Sequence, residues 1–375
     1  MLDCATVYSL IREQGFRFFT GVPDSLLKEF CAYVSEHASG DDHVIAANEG
    51  NAVALAMGHF LGSGEPAVVY MQNSGTGNAV NPLLSLADPE VYSVPVLMII
   101  GWRGQPGVTD EPQHVKQGRR TTELLDSMEI PWFVLAREME DAAASIAEAA
   151  RAMHERMGPV AILVRTDTFA SYEPKRDVVT DFPMNREDAV KRILDQLGED
   201  DVVVSTTGKA SREVYEHRQA RGTDGNDFLT VGGMGHTASI AMGLARVQPE
   251  RLVVCLDGDG SLIMHMGALG VIANAGPANL LHVVINNGAH DSVGGQPTVG
   301  HDIDIPAIAL ACGYREAISV SEPQALEAAV ERLRSKSGGP VLLEVKVNKG
   351  ARGDLGRPKS TPIENRDALM KRLGL

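Results

Sequence analysis

The sequence predicts an α/β protein built from two related, doubly wound domains whose sheets are mainly parallel. The first observation behind this prediction is that short apolar runs rich in Val and Ile alternate with Ala-rich stretches of helical spacing along the whole chain. The second is an internal repeat between the two halves of the 375 residues. At roughly 150 residues per domain, this length suits two or three domains.

The apolar runs are short and almost uninterrupted, as expected of strands that are buried on both faces of a parallel sheet. They lie at residues 67–71, 96–100, 160–164, 202–204, 252–256, 280–285 and 341–347, with a further plausible strand at 43–47. Two Ala-rich stretches, 138–157 and 323–336, have the spacing of helices. We therefore expect strands and helices to alternate in both halves.

The internal repeat emerges when the sequence is shifted by 185 residues. Residues 52–58 (AVALAMG) then align with 237–243 (TASIAMG), and two further blocks, which start at residues 66 and 94, align at the same offset. A single block would carry little weight because apolar strands resemble one another. Three blocks at one constant offset indicate two related units.

The boundary between the units is predicted in residues 171–188, which are polar, contain two prolines and lack periodicity. We assign residues 1–172 to the first domain, 173–185 to a linker and 186–375 to the second domain. The linker is too short to hold a third, central domain. The tail from residue 349 is rich in Gly, Pro and charge, which predicts an extended segment followed by a short terminal helix.

The composition excludes several classes of function. The chain has 34 Lys and Arg against 49 Asp and Glu, a net charge of −15, which would repel nucleic acid and anionic lipid. Its four scattered cysteines form no C-x-x-C pair, which argues against a disulfide framework or a zinc site. No apolar run reaches about 18 residues, and the charged N-terminus is unlike a signal peptide. We expect a soluble cytoplasmic protein that binds neither nucleic acid nor a membrane.

The strongest chemical signal is residues 256–262 (LDGDGSL) followed by 285–292 (INNGAHDS). Each segment follows a predicted buried strand, and open α/β sheets bind ligands at the carboxyl ends of their strands. Asp259 and an Asn would then meet at neighbouring strand ends, where carboxylate, amide and backbone carbonyl oxygens suit Mg²⁺. Taken singly, the GDG triplet would be a tight turn and Asn286-Asn287 a strand-ending turn. Together they favour a metal–diphosphate site.

At this spacing, GDGS and the Asn pair resemble the diphosphate–magnesium motif of the thiamine-diphosphate enzymes. The pyrimidine-binding and diphosphate-binding domains of that family are themselves related α/β units, in keeping with the repeat. Within the family, segments 20–30, 71–86, 101–121 and 285–298 look like those of phosphonopyruvate decarboxylases, and nearly as much like those of sulfopyruvate decarboxylases. The resemblance covers nearly the whole chain and implies thiamine diphosphate and Mg²⁺ as cofactors. Larger members insert a central domain, for which this linker leaves no room.

The resemblance assigns the first domain to the pyrimidine ring of the cofactor and implies Glu49 as the catalytic acid. A carboxylic acid against N1′ of the aminopyrimidine favours the imino tautomer, whose 4′-nitrogen takes the proton from thiazolium C2. Such an acid must be shielded from water, so its pKa should be raised. Without the family, Glu49 would be a carboxylate at a helix N-terminus that is stabilised by the helix dipole.

The resemblance also implies how the second domain shapes the cofactor. The repeat makes Met234 the counterpart of Glu49. In the family, a bulky apolar residue at this position wedges the cofactor into its bent shape, and the carbonyl of Gly233 would accept from the 4′-amino group. The glycines around it allow the backbone to approach closely. A core methionine is the alternative interpretation of Met234.

The metal ligands implied by the family are Asp259, Asn287 and the carbonyl of Ala289, with Asn286 as the alternative amide. His290 follows at a position where many members carry an aromatic residue, so the local loop geometry stays open. The diphosphate contacts are expected from Gly208, Lys209, Gly258, Gly260 and Ser261.

The substrate would be a small anionic 2-oxo acid with two anionic ends. Donor-rich loops that could hold it contribute Ser25, Asn73, Ser74, Gln113, His114 and His290. His114 and His290 are also candidates for a catalytic proton relay, since imidazole titrates near neutral pH. A structural histidine is the alternative for each. Arg103 and Lys209 could bind a phosphonate, unless they are solvated surface residues.

The resemblance implies a carboxy-lyase that decarboxylates 3-phosphonopyruvate to phosphonoacetaldehyde and CO₂. The family implies a homo-oligomer, a dimer or larger, with the cofactor between chains. Sulfopyruvate decarboxylase is the nearest alternative; the fusion of both domains in one chain favours phosphonopyruvate, because sulfopyruvate enzymes often divide the domains between subunits. A carboligase such as acetolactate synthase fits less well, since a central domain is missing. An alternative of another class is a non-catalytic protein that binds a nucleotide through GDG and the Asn pair.

Overall fold

The computed structural model describes residues 1–175, 179–334 and 338–375. The chain divides into two compact units, Met1–Asp177 and Val178–Leu375. Each unit contains a six-stranded sheet, and every strand pair in both sheets is parallel. The two units are described separately below.

The first unit alternates strands and helices. Its strands are β1 (Phe18–Gly21), β2 (His43–Ile45), β3 (Ala67–Gln72), β4 (Val96–Gly101), β5 (Trp132–Val134) and β6 (Pro159–Val164). Its α-helices are α1 (Cys4–Glu13), α2 (Lys28–His37), α3 (Glu49–Ser63), α4 (Thr76–Pro82), α5 (Pro112–Ser127) and α6 (Met139–Arg156). A 3₁₀ turn at Asn73–Gly75 precedes α4, and a π-helical turn at Leu83–Ala87 follows it.

Helices cover both faces of the first sheet. Phe19, Tyr70 and Ile99 belong to a buried cluster on the face packed by α1, α2 and α6. Val69 and Met98 belong to the opposite cluster, which includes residues of α3, α4 and α5. Residues that are adjacent along a strand thus enter opposite clusters, which is why the central strands read as continuous apolar runs.

The second unit has the same plan. Its strands are β7 (Val202–Ser205), β8 (Asn226–Leu229), β9 (Val253–Gly258), β10 (Leu280–Asn286), β11 (Glu316–Val320) and β12 (Val341–Lys346). Its helices are α7 (Arg186–Leu194), α8 (Lys209–Arg221), α9 (Thr237–Val247), α10 (Asp259–Met264), α11 (Ala268–Ala275), α12 (Ile305–Cys312), α13 (Pro323–Arg334) and α14 (Pro362–Arg372). One face packs against α7, α8 and α13, and the other against α9, α11, α12 and α14.

The two sheets have the same topology. The first has the order β2-β1-β3-β4-β6-β5, and the second, read from the corresponding edge, has the order β8-β7-β9-β10-β12-β11. Strands at equal positions in the two units therefore occupy equal positions in their sheets. The prediction of two related, doubly wound parallel domains is confirmed, and the internal repeat has a structural counterpart.

All of the predicted strands are present, whereas β1, β5, β8 and β11 were not predicted. These four strands have three to five residues, too few to produce a clear apolar run. Both predicted helices are present as α6 and α13, and the predicted terminal helix is α14. Residues 335–336 of the second predicted helix and 176–178 of the predicted linker lie outside the described residues.

In the parts of the chain that the structure describes, no helix has both the length and the apolar character needed to cross a membrane.

Candidate functional site

In the first unit, Glu49 lies at the start of α3. The side chain of Asn48 caps this helix by accepting a hydrogen bond from the Asn51 N–H at 2.9 Å, so α3 begins soon after β2. Glu49 is only 5% exposed, and its Oε2 accepts a hydrogen bond from Asn78 Nδ2 at 2.8 Å. Burial raises the pKa of the Glu49 carboxyl, against the lowering effect of the Asn78 contact. Glu49 thus has the shielding expected of an acid that holds a proton.

The 3₁₀ turn before α4 lies directly against this carboxyl. A Cβ built on Gly75 would overlap the carboxyl group of Glu49, whereas one built on Gly77 would meet nothing within 4 Å. We therefore expect Gly75→Ala to displace the carboxyl and to lower kcat by about tenfold to 100-fold, since small misplacements of reacting groups have effects of this size. Gly77→Ala is the matched control and should keep the wild-type kcat in a CO₂-release assay. Equal activity of the two variants would contradict a catalytic position for Glu49.

Asp24 is a second buried carboxyl of the first unit, at the carboxyl end of β1. It has no exposed surface. It accepts hydrogen bonds from the Leu26 N–H at 3.0 Å and from the side chain of Gln72, which ends β3. Burial raises the pKa of the Asp24 carboxyl in spite of these hydrogen bonds. Asp24 therefore joins two neighbouring strand ends, at the point where the strand order of the sheet reverses.

Arg103 follows β4, and its guanidinium contacts both Asp110 and Ser25. Its guanidinium binds the Asp110 carboxylate through Nε, at 2.8 Å, and through Nη2, while Nη1 donates to Ser25 Oγ at 2.7 Å. Although burial acts to raise the pKa of Asp110, the hydrogen bonds from Arg103 and from backbone N–H groups hold it well below its usual range. The charge of Arg103 is thus balanced within its own loop, and a substrate anion would have to compete with Asp110.

The predicted substrate residues of the first unit have different surroundings. Asn73 is buried and joins β3 to α5, because Nδ2 donates to the Arg103 carbonyl and to Thr121 Oγ1, both at 2.9 Å. Ser74 is exposed and donates to Gln72 Oε1 at 2.7 Å. The structure therefore brings Ser25 and Asn73 to Arg103, and leaves Ser74 at the surface.

His114 and Gln113 lie in the first turn of α5. Their Nε2 atoms are 3.5 Å apart, and His114 Nδ1 is buried with no hydrogen-bond partner among the described residues. Burial lowers the pKa of His114, with the Arg103 charge acting in the same direction. The imidazole is therefore neutral near pH 7, and its unpaired nitrogen can still accept or donate a proton.

In the second unit, the GDG triplet is a direct junction between strand and helix and does not form the tight turn that the sequence suggested. Gly258 ends β9 and Asp259 begins α10. Asp259 is 2% exposed, and its carboxylate accepts hydrogen bonds from the Thr298 hydroxyl and the Asn287 N–H. Burial raises the pKa of Asp259 to about 6. A buried carboxylate held by neutral donors is well suited to a cation.

Ser261 connects this junction to two other loops. Its Oγ accepts hydrogen bonds from Thr206 Oγ1 at 3.2 Å and from the Gly235 N–H at 3.1 Å. Thr206 follows β7, which lies beside β9 at the point where the order of the second sheet reverses. Such switch points are where open α/β sheets bind ligands. The junction therefore lies where a diphosphate site is expected from topology.

The two asparagines at the end of β10 differ in their contacts. The side chain of Asn286 has no exposed surface; Nδ2 donates to the Gly300 carbonyl and to Glu344 Oε1, both at 2.7 Å. Asn287 accepts from the Ala289 N–H at 3.1 Å, and its backbone is hydrogen-bonded to Asp259. The oxygens of both amides accept one backbone N–H at 3.1 Å, so the two side chains differ only in Nδ2, and the assignment of Asn287 as the metal ligand stays a prediction.

Met234 and His290 both lie against the GDG junction. A Cβ built on Gly260 would be 3.2 Å from Cε1 and Nδ1 of His290 and 3.3 Å from Cε of Met234. Desolvation lowers the pKa of His290 to about 4, so this imidazole is neutral near pH 7. Gly233 has a positive φ of 62°, and its carbonyl oxygen is 3.2 Å from Nδ1 of His236.

Gly208 and Lys209 lie at the start of α8. Gly208 has φ +96°, and a Cβ at this position would be 2.9 Å from Ser292 Oγ, so the close approach of the loop requires glycine. Lys209 Nζ donates to the Asp291 carbonyl at 3.1 Å and lies 3.5 Å from its carboxylate. Lys209 is thus paired within the chain, and a diphosphate or phosphonate would have to compete with Asp291 for it.

Three residues that the structure connects to the predicted site residues, or to their neighbours in the chain, were not singled out from the sequence. Asp24 stands beside the predicted Ser25, and its place after a strand could have drawn attention to it. Thr298 ends the segment whose resemblance was noted. Arg186, which binds Asp291 at 2.7 Å, carries no sequence signal, because an arginine at a helix start is ordinary.

Two family models of known proteins match this chain. The N-terminal TPP binding domain of thiamine pyrophosphate enzymes matches residues 5–130, and the C-terminal TPP binding domain matches residues 206–345. Phosphonopyruvate decarboxylases from Streptomyces viridochromogenes and Streptomyces hygroscopicus are each 34% identical to this chain. Each alignment covers 97% of this chain, and 93% and 92% of those two proteins respectively. The chain belongs to the phosphonopyruvate decarboxylase family.

Family membership confirms the resemblance that the sequence suggested: the protein is a carboxy-lyase of the thiamine-pyrophosphate enzymes, with thiamine diphosphate as its cofactor. A sulfopyruvate decarboxylase from Methanosarcina acetivorans is 26% identical over 88% of this chain and 87% of its own length. Other similar proteins are separate alpha and beta subunits of sulfopyruvate decarboxylases, from Methanococcus maripaludis and Methanocaldococcus jannaschii. Sulfopyruvate decarboxylases therefore occur in both arrangements, and the fusion of the two domains does not by itself exclude them.

Proposed function

We propose that this member of the phosphonopyruvate decarboxylase family decarboxylates 3-phosphonopyruvate to phosphonoacetaldehyde and CO₂, with thiamine diphosphate and Mg²⁺. The observation that carries the proposal is the match to two phosphonopyruvate decarboxylases over 97% of the chain. The buried Glu49 carboxyl, with its raised pKa, supports the same chemistry. Residues 1–172 would bind the pyrimidine ring, and residues 186–375, after the linker 173–185, would bind the diphosphate.

Glu49 would share its proton with N1′ of the cofactor's pyrimidine ring. Its burial supports this role, because shielding from water raises the pKa of a carboxyl and so favours its protonated form. When bound, thiamine diphosphate supplies the electron sink for the pair that is released as CO₂ leaves. Gly233, through its carbonyl, and Met234 would orient the pyrimidine, and the contact of Met234 with Gly260 supports this placement.

The donor set after β9 and β10 fits Mg²⁺. The carboxylate of Asp259, the amide oxygen of Asn287 and the carbonyl of Ala289 are hard oxygen ligands, and the rest of an octahedron would be left for phosphate oxygens and water. Asp259 is buried without a lysine or arginine on its carboxylate among its described partners, so a cation would relieve the cost of burying its charge. Gly208, Lys209, Gly258, Gly260 and Ser261 would hold the diphosphate.

The substrate would be held by Ser25, Asn73, Ser74, Gln113, His114 and His290. Of these, His114 and His290 are the candidates to deliver the proton that releases the aldehyde. Both imidazoles are neutral near pH 7 because burial lowers their pKa values, so either would first have to take up a proton from water. The proposal includes a cytoplasmic homo-oligomer, a dimer or larger, with the cofactor between chains; sedimentation of the purified protein measures its size.

Sulfopyruvate decarboxylation is the second candidate, supported by the 26% identical relative. The discriminating experiment compares aldehyde formation from phosphonopyruvate, sulfopyruvate and pyruvate under identical conditions. A site built for a phosphonate dianion should give phosphonopyruvate an advantage in kcat/KM of about tenfold or more over the sulfonate monoanion, since one charged hydrogen bond is worth this much. An equal or higher kcat/KM for sulfopyruvate would reverse the assignment. Binding of ATP but not of thiamine diphosphate would instead favour the nucleotide-binding alternative.

A further inference from the structure

Residues 288–298, here called the His290 loop, are attached to the second unit by a charged network. Arg186 Nη1 donates to Asp291 Oδ2 at 2.7 Å, and Lys209 Nζ donates to the Asp291 carbonyl at 3.1 Å. On its other side, Arg186 donates to Glu213 from Nε and Nη2, both at 2.9 Å. Two cations thus meet two carboxylates, and the network is electrically balanced.

The network is buried at its centre. The side chains of Arg186, Glu213 and Asp291 are 9%, 1% and 8% exposed. Arg186 is the first residue of α7 and Glu213 lies in α8, so the arginine is braced by two helices. A buried ion pair of this kind adds little net stability, because desolvation of the charges offsets their attraction. Its main consequence is geometric: it fixes Asp291 relative to α7 and α8.

Asp291 is the neighbour of His290, whose backbone is also fixed. The His290 N–H donates to the Gln296 carbonyl at 2.8 Å, and its carbonyl accepts from the N–H groups of Val293 and Gly295 at 3.1 and 3.0 Å. These hydrogen bonds close the His290 loop on itself. The contact of Asp291 with Arg186 fixes the residue that follows His290, whose imidazole lies against Gly260.

We infer that Arg186 is a positioning residue: by holding Asp291 it keeps the imidazole of His290 against Gly260 at the GDG junction. This inference rests on the proposed function, and within it on the part given to His290. Arg186 itself acts only through Asp291. The expected signature is a loss in kcat with little change in KM, together with a more mobile His290 loop.

The test uses the full-length protein and four variants. Asp291→Ala removes the carboxylate by which the His290 loop joins the network and leaves the buried Arg186–Glu213 pair intact. Asp291→Asn keeps a side-chain oxygen that can accept a hydrogen bond from Arg186. Arg186→Met removes the guanidinium. Arg192→Met is the matched control, since Arg192 lies in the same helix, is 41% exposed and pairs with Glu327 away from the loop. Each variant is assayed for kcat and KM, and hydrogen exchange of the His290 loop is measured without cofactor.

We expect Asp291→Ala and Arg186→Met to lower kcat by about tenfold to 100-fold, as misplaced catalytic groups do. KM should change less than kcat does, because the other five proposed substrate residues are left in place. Exchange at the His290, Val293 and Gly295 amides should become about tenfold faster or more, as a less stable loop opens more often. Asp291→Asn should recover part of the lost kcat and part of the slow amide exchange. Arg192→Met should match the wild type in both.

The inference is overturned if the amides of the His290 loop exchange at the wild-type rate in Asp291→Ala. It is also overturned if their exchange becomes faster while kcat stays unchanged. Should Arg186→Met fail to fold, Asp291→Ala and Asp291→Asn still decide the matter. Failure of the proposed function looks different: the wild type would then release CO₂ from none of the three oxo acids, whatever the exchange data show. A wild-type kcat for His290→Gln would overturn the inference by removing the catalytic part of His290.

Discussion

Glu49→Gln should lower kcat for the decarboxylation of 3-phosphonopyruvate by about 10²- to 10⁴-fold, the usual contribution of a positioned acid or base. Glutamine has nearly the same shape, and its amide oxygen can still accept from Asn78 Nδ2. It cannot share a proton with N1′ of the pyrimidine ring. The loss should therefore appear in kcat, measured as CO₂ release at saturating thiamine diphosphate and Mg²⁺.

The control for this variant is Glu65→Gln, a change of the same kind in the first unit. The Glu65 side chain is 45% exposed and lies 3.7 Å from Arg17, a surface pair of small energetic value. Its replacement should leave kcat unchanged. Cofactor affinity of Glu49→Gln, measured by calorimetry, should fall by less than about tenfold, since only one contact is altered. Undiminished turnover of Glu49→Gln would remove the mechanism proposed for this chain.

Asp259→Asn should weaken the binding of thiamine diphosphate at fixed Mg²⁺ by about 100-fold or more, because substitutions even one step removed from a metal ligand reach this size. The carboxylate is buried and bears the negative charge that would face the cation. The melting temperature of the cofactor-free protein should not fall, since burial raises the pKa of Asp259 and its charge is therefore unfavourable in the fold. Calorimetry and thermal melts measure the two effects separately.

Asp200→Asn is the matched control for this second prediction. The Asp200 side chain is 88% exposed and pairs with Arg251, so its loss should leave cofactor binding unchanged. If Asp259→Asn bound thiamine diphosphate as tightly as Asp200→Asn, Asp259 would not be a metal ligand. A fall in the melting temperature of cofactor-free Asp259→Asn would instead mean that the carboxylate serves the fold.

Most of the strands that could be predicted from the sequence are buried on both faces of a sheet. Central strands such as β3, β4, β9 and β10 are covered by helices on both faces, so nearly every residue is apolar and the run is visible in the sequence. The short edge strand β5 is half-buried throughout, and its residues therefore lack this continuous pattern. Two of the three repeat blocks contain such central strands, and the first block lies in the helices α3 and α9.

The candidate site residues that could be predicted from the sequence are those that follow the ends of strands. Asp259 and Asn287 follow apolar runs at a recognisable spacing, and parallel strands bring their carboxyl ends to one edge of the sheet. Contacts between residues distant in sequence were not predictable. Lys209 pairs with Asp291, 82 positions later, and this pairing depends on the direction of a side chain at the start of α8.

The sequence by itself predicted two related parallel-sheet domains, because buried strands follow local and periodic rules, and its motifs at the strand ends resembled those of the thiamine-diphosphate enzymes. Only the tertiary structure decided that the Asn286 amide is used by Glu344 and Gly300, that Arg103 is balanced by Asp110, and that Arg186 braces the His290 loop. Each of these outcomes depends on which polar group lies within about 3 Å of another after folding. That proximity is set by packing between segments far apart in the chain.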